Sequence, residues 1–228
     1  ALPTVLLYIQ DRFTQRDLDD TPVGHKEGYA LLPKDVQDYI LEAESLRIKG
    51  TLIPQLSYVK TNVSKPKNGL YRFWYMIPKL RNRHLAKVFI PRVNSCSVHT
   101  YKCEVKNTVI DANFSTIDNS NIQSWTNNAI VAIMNSTWCQ IQYEQLGTVM
   151  GGGALKLEAV QLRKVKIPYL EEITLAKLNK YGEELCHVKI SESSGLIEKI
   201  DMCLLMSFLN DKEQANKLLI ELKDKLQH

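Results

Sequence analysis

At 228 residues, 44% hydrophobic and 24% charged, the chain is long enough to bury a sizeable core and has the composition of an ordinary globular protein. No run approaches the roughly 18 apolar residues of a membrane span, and the opening ALPTVLLYIQDRF lacks the basic start and cleavage site of a secretory signal. A membrane-spanning or secreted chain is therefore not expected, and a cytoplasmic one is; a first residue Ala1 inside an apparent strand suggests a piece of something longer.

Thr4 to Gln10, TVLLYIQ, reads as a short β-rich run. After a polar, turn-like stretch from Thr21 to Gly28, Pro33 to Ile48 places Val36, Tyr39, Ile40, Ala43 and Leu46 at helical spacing behind a proline start. Thr51 to Lys102 reads as mostly β, since TLIPQLSYVK, LYRFWYMI and AKVFIPRV are rich in aromatic and β-branched residues. Its prolines argue for edges and bends. In LYRFWYMI, alternation would put Tyr71, Phe73, Tyr75 and Ile77 on one face and Arg72, Trp74 and Met76 on the other.

Asn113 to Gly147 carries the clearest long helical pattern, with Ile122, Trp125, Ala129 and Ile133 at steps of three and four, Trp138 and Ile141 as an extension of it and Gly147 as the stop. Gly151-Gly152-Gly153 then reads as a tight helix-to-strand connection that needs positive φ or close backbone packing. Three helices follow, over Thr174 to His187, Gly195 to Leu209 and Asp211 to Leu226, the last with Asp211 as N-cap.

The charge is unevenly spread. From Ser45 to Cys103 the chain has twelve Lys or Arg and no Asp or Glu, which leaves the remainder at −8 against a total of +4. Such a block is expected where one face meets a polyanion, because a merely solvated surface interleaves both signs. The alternative is a solvated β face with Lys and Arg stems lying over apolar residues. Lys60, Lys65, Lys67, Lys79, Lys87 and Lys102 are candidate phosphate contacts, and Arg72, Arg81, Arg83 and Arg92 candidates for phosphate or guanine edges. Asn82 and His84 are further candidates for base readout, and Trp74 for stacking or buttressing.

No catalytic constellation is present: there is no G-x-S-x-G, His-Glu-x-x-His or G-x-G-x-x-G, and Gly153-Ala154 stands where a P-loop needs Lys and Ser or Thr. The five cysteines are odd in number with no Cys-x-x-Cys, which suits reduced thiols. Cys96, His99 and Cys103 do not have a usual zinc spacing and read as a strand and loop with half-buried thiols.

Three stretches, RFWYMIPKLRNRHLAKVFIPRV with DANFSTI, NNAIVAIMNSTWCQIQYEQLG, and GGGALKLEAVQLRKVKIP, together with the ending GLIEKIDMCLLMSFLND, resemble the target-recognition region of N6-adenine DNA methyltransferases of restriction-modification systems. The resemblance runs from about Arg72 to the end and is most specific at the Asn-Ser-Thr helix and Gly-Gly-Gly-Ala-Leu-Lys-Leu. It implies a DNA target-recognition (specificity) domain acting on double-stranded DNA beside an N-terminal methyltransferase domain of the same protein, where S-adenosylmethionine would bind. The catalytic Pro-Pro loop of those enzymes is missing, since the sequence contains no Pro-Pro, so the fragment itself is expected not to be an enzyme. The expected fold is α+β: a twisted, bent β-sheet recognition domain flanked by helices over residues 1–170 and a C-terminal helical region over 171–228. An RNA-binding or RNA-processing module, or a scaffold docking a partner through its C-terminal helices, are the rival expectations.

Overall fold

The computed structural model describes residues 7–95, 97–106, 108–119 and 124–226. The fold is α+β, and the chain divides into two compact units, Ala1–Lys79 and Leu80–His228. Residue 170, the boundary expected from the sequence, lies inside the second of these units.

In the first unit, strand β1 (Arg12–Phe13) pairs in parallel with β2 (Ala30–Leu31), with helix α1 (Gln15–Asp19) between them. Thr14 caps α1: its hydroxyl accepts from the Asp17 N–H at 3.2 Å and donates to the Asp17 carboxylate at 2.7 Å. Helix α2 (Lys34–Ser45) starts behind Pro33 as expected and buries Ile40 and Ala43, but it ends before Leu46, whose backbone is already extended. The next strands, β3 (Arg47–Ile48) and β4 (Thr51–Leu52), form a hairpin whose turn residues Lys49 and Gly50 have φ of 50° and 80°. Positive φ at both central positions is the turn geometry that matches strand twist. Helix α3 (Ser57–Lys60) follows.

LYRFWYMI is not a strand. Only Arg72 forms a bridge, to Ser64, and the Met76 N–H bonds back to the Phe73 carbonyl at 3.0 Å, closing a turn around Trp74 and Tyr75. The alternating faces expected of it do not exist, because its aromatics wrap a core centred on Phe13: Phe73 meets that ring edge-on at 5.2 Å and Met76 is buried. Aromatic residues that raise strand propensity do so by packing, and here they pack on a turn. Of TVLLYIQ, residues 4–6 lie outside the described residues, and Leu7 to Gln10 form no strand, although Ile9 enters the same core.

The second unit begins with helix α4 (Asn82–Leu85) and strands β5 (Val88–Pro91), β6 (Val93–Asn94), β7 (Tyr101–Lys102) and β8 (Phe114–Ile117). An antiparallel sheet has the order β7-β5-β8, with Val88 opposite both Lys102 and Ile117. The single long helix expected up to Gly147 is two helices, α5 (Asn127–Met134) and α6 (Thr137–Leu146), with β8 before them; Ile122 lies outside the described residues. The break is written in Asn135 and Ser136. Ser136 caps α6 by accepting from the Cys139 N–H at 3.3 Å, while the Asn135 amide takes the Thr100 N–H at 3.0 Å and donates to the Thr100 and Val131 carbonyls. Side chains that bind the backbone in this way compete with helix continuation.

Strands β9 (Thr148–Val149) and β10 (Leu155–Lys156) form a hairpin, and β10 also pairs with β6. The glycine triplet joins these two strands rather than a helix to a strand, and Gly152 and Gly153 have the positive φ expected of it, 82° and 79°. The short helix α7 (Ala159–Leu162) leads to α8 (Glu172–His187), α9 (Ser194–Leu209) and α10 (Lys212–Leu226), close to the three helices read from the sequence. Asp211 caps α10 by accepting from the Glu213 and Gln214 N–H groups. No helix of the described residues is long and apolar enough to cross a membrane.

Helix α5 is buried from Ala129 through Met134, and it sits in one core with Val88 and Ile90 of β5, Leu175 and Leu178 of α8, and Leu196, Ile200 and Leu204 of α9. The closest approach is at Gly182, where a Cβ would lie 1.8 Å from the Asn128 carbonyl oxygen. Asp201 of α9 is buried and accepts from both the N–H and the hydroxyl of Thr137, at 2.8 and 2.6 Å, at the start of α6. Burial nevertheless pushes its carboxyl up to about 6.

Gly182→Ala should destabilise the chain by about 3 kcal/mol or more in urea unfolding, because the obstacle is backbone. Gly195→Ala, which meets nothing within 4 Å, should stay within about 1 kcal/mol. Asp201 binds its proton more tightly folded than unfolded, so its contribution to stability is complete at low pH and is lost as pH rises through about 6. Between pH 5 and pH 7 the parent should therefore lose about 1 kcal/mol more stability than Asp201→Asn; equal losses in the two chains would contradict this.

Candidate nucleic-acid interface

The acid-free stretch is shared between the two units. Arg47, Lys49, Lys60, Lys65, Lys67, Arg72 and Lys79 belong to the first, and Arg81, Arg83, Lys87, Arg92 and Lys102 to the second.

In the first unit Lys60 ends α3, and Lys65 and Lys67 stand on the turn that the Ser64–Arg72 bridge closes; all three are exposed, as is Lys79. The turn is held from below. His25 Nδ1 hydrogen-bonds the Gly69 carbonyl at 2.6 Å and its ring lies 4.6 Å from that of Tyr71, while Tyr29 donates to the Tyr71 carbonyl at 2.6 Å. Arg72 is part of this brace, since its guanidinium donates to the carbonyls of Asn62 and Thr61. Trp74 buttresses as well: its indole N–H donates to Glu44 at 2.9 Å, and Glu44 receives a two-pronged contact from Arg16 at 2.7 Å on each arm. The Arg16 contact, seconded by Trp74, holds the Glu44 carboxyl below the ordinary range. Behind them Tyr75 donates to Asp17 at 2.8 Å, and burial drives its phenol upward.

In the second unit α4 presents Arg81, Asn82 and Arg83 to solvent, and Lys87 is exposed just before β5. His84 fixes this short helix. Its Nδ1 accepts the Arg81 N–H at 2.9 Å, which leaves Nε2 as the protonated nitrogen, so Arg83 stands beside the ring without a true bond to it. The His84 carbonyl in turn accepts from the Ile110 N–H at 2.8 Å. His84 thus fixes Arg81 through Nδ1, and its Nε2–H is left as a donor.

Two further candidates are less exposed. Lys102 is only 18% exposed and pairs with Glu104 at 2.7 Å. Arg92 is half-buried between strands, bonding Asn113 and Leu157 through its backbone, and its Nε is buried without a partner. Sequence reasoning missed Asn119 and Asn127, which share a cleft of about 280 Å³ with Asn82 and Lys87. Only their concentration in an Asn-rich run near residue 120 could have pointed to them.

Lys102 is the one residue of the acid-free stretch that forms an ion pair among the described residues, and its partner lies just outside the stretch. Lys60, Lys65, Lys67, Lys79, Arg81, Arg83 and Lys87 are exposed cations that form no ion pair among the described residues, although Lys87, behind Lys102, also helps hold the Glu104 carboxyl below the ordinary range. Outside the stretch Arg16, Lys34, Lys156 and Lys223 form ion pairs among the described residues, whereas exposed cations such as Arg12, Arg163 and Lys164 form none, so the stretch is set apart by its lack of acids and not by unpaired cations alone.

Among the described residues no three His, Cys, Asp or Glu side chains gather as metal ligands; Cys96 lies outside them. Cys139 is buried and its thiol is pushed up to about 12, and burial also raises Cys186 and Cys203, so none of these three is an activated nucleophile. No protein-family model matches the chain, and no curated protein is significantly similar to it.

Proposed function

We propose that the chain grips double-stranded DNA as the target-recognition domain of an adenine-N6 DNA methyltransferase or restriction-modification enzyme. The observation that carries this reading is the set of exposed, unpaired cations in a stretch without acids: Lys60, Lys65, Lys67 and Lys79 on the first unit, and Arg81, Arg83 and Lys87 on the second. Exposed ammonium and guanidinium groups that lack internal partners neutralise phosphates at little desolvation cost, and they gain from the counterions released. Arg81, Asn82 and Arg83 stand together on a braced turn, and arginine and asparagine are suited to paired contacts with guanine and adenine edges.

The resemblance of RFWYMIPKLRNRHLAKVFIPRV and GGGALKLEAVQLRKVKIP to methyltransferase recognition regions narrows the polyanion to duplex DNA. In this reading the chain supplies binding and orientation, and the methyl donor S-adenosylmethionine belongs to a catalytic domain joined to it in the same protein. A DNA-containing compartment with reduced thiols, the cytoplasm, fits the free cysteines.

Fluorescence anisotropy with mixed-sequence duplex DNA, single-stranded DNA and RNA tests the reading. With six or so phosphates contacted, duplex affinity should fall by roughly 10³ or more between 50 and 200 mM salt. Arg81→Glu with Arg83→Glu, and separately Lys60→Glu with Lys65→Glu and Lys67→Glu, should each weaken binding and lower the salt slope by about 1 for every phosphate no longer neutralised. Salt-independent binding, or unchanged affinity in both variants, would sink the reading; a preference for RNA or single strands would transfer the site to an RNA module.

A further inference from the structure

Beside the basic helix of the second unit lies a second, larger cavity. It measures about 640 Å³ and is walled by Ile117 of β8, Trp125 just before α5, Ile130 and Met134 of α5, and Leu162 of α7. That volume falls within the roughly 300–1,000 Å³ of small-ligand sites, and mostly apolar walls with a few polar points are their usual lining. Ile117 and Asp118 border both this cavity and the cleft that contains Asn82 and Lys87, so the two adjoin.

Ser115 also lines the cavity. It is 4% exposed, and its hydroxyl has no hydrogen-bond partner among the described residues. Buried hydroxyls are ordinarily satisfied, so one that is not, at the wall of an apolar cavity, is available to a ligand. It sits on β8, the edge strand of its sheet. Arg163 stands exposed among the lining residues.

We propose that this cavity receives a single unstacked nucleobase from the nucleic acid held by Arg81, Arg83 and Lys87. The inference rests on the nucleic-acid reading above. A nucleobase has two apolar faces and a polar edge. Trp125 and the aliphatic walls suit the faces, the Ser115 hydroxyl suits the edge, and the nucleotide's phosphate stays outside beside Lys87. Other small planar molecules would match the cavity itself; a nucleotide adds a phosphate for Lys87, the one cation of the adjoining cleft, which the Asp118 carboxylate also borders.

The test compares a duplex carrying one bulged adenine with the fully paired duplex of the same sequence, using the full chain labelled with 13C-methyl methionine. The bulged duplex should bind about tenfold more tightly or better, within the range of base stacking on an aromatic side chain. Of the five methionines, Met134 lines the cavity, so its methyl resonance should move on binding while that of Met76, in the first unit's core, stays in place. Trp125→Ala should collapse the ratio of the two affinities toward one. Ser115→Ala, which removes an unsatisfied hydroxyl and should fold as well as the parent, should lower it too. Equal affinity for both duplexes, or an unmoved Met134 resonance at saturation, would overturn the proposal; salt-sensitive binding to both would then leave the DNA grip standing. Failure to bind either duplex would remove both.

Discussion

The second unit is organised by one close contact, the crossing of α8 over the start of α5 at Gly182. The space left by the missing side chain brings backbone against backbone at Asn128. Once that approach is made, α5 has β5 on one side and α8 and α9 on the other, which is why six consecutive residues, Ala129 to Met134, are all buried. A helix with no solvent face is a poor helix by itself and depends wholly on what surrounds it. The C-terminal helices are consequently no appendage: without Leu175, Leu178, Leu196 and Ile200 the sheet that carries β5 and β8 would rest on half a core.

This packing reaches the candidate site through β5 and β8. Val88 and Ile90 anchor β5 in the core, so Lys87 at its entrance is fixed relative to the sheet, and Ile110 ties α4 to the chain that leads into β8. The arginines of α4 are therefore exposed on a support with little freedom, although four residues of helix could not hold themselves. The same sheet supplies Ser115 and Ile117 to the cavity alongside. A mobile loop could carry as much charge, but it would lose more entropy on ordering against a duplex.

The legible parts of the fold were those set by local chemistry. Pro33 and Asp211 mark the starts of α2 and α10 because helix-start signals act within a few residues. AKVFIPRV was readable as a strand, and the positive φ at the glycine triplet followed from the residue type itself. LYRFWYMI misled because aromatic content reports that a segment is packed, not how: Phe73, Trp74 and Tyr75 serve Phe13, Glu44 and Asp17, partners some thirty to sixty residues away. The Asn135–Ser136 break was legible in principle, two cap-forming residues in an otherwise continuous apolar pattern, but the periodicity on both sides concealed it. Among the site residues, charge was readable and engagement was not. Nothing in the sequence separates Arg72, clamped on two carbonyls, from Lys67, free in solvent.

That separation sharpens the meaning of the basic stretch. A protein that only needed solubility could scatter its cations among carboxylates, as this chain does along α2 and between α9 and α10. Leaving the exposed cations of the stretch without an ion pair sacrifices the small gain of surface pairing, about 0–1 kcal/mol each, and adds mutual repulsion that salt only partly screens. Meanwhile the half-buried Arg72 and Lys102 are held by partners within the chain, where an unpaired charge would cost more than at the surface. Burial alone does not order the set, because the Nε of half-buried Arg92 is buried without a partner among the described residues and exposed Arg47 donates to the Gly50 carbonyl. What the exposed cations share is the lack of a carboxylate within ion-pair distance, and a phosphate contact gains most from a cation that has no carboxylate to give up.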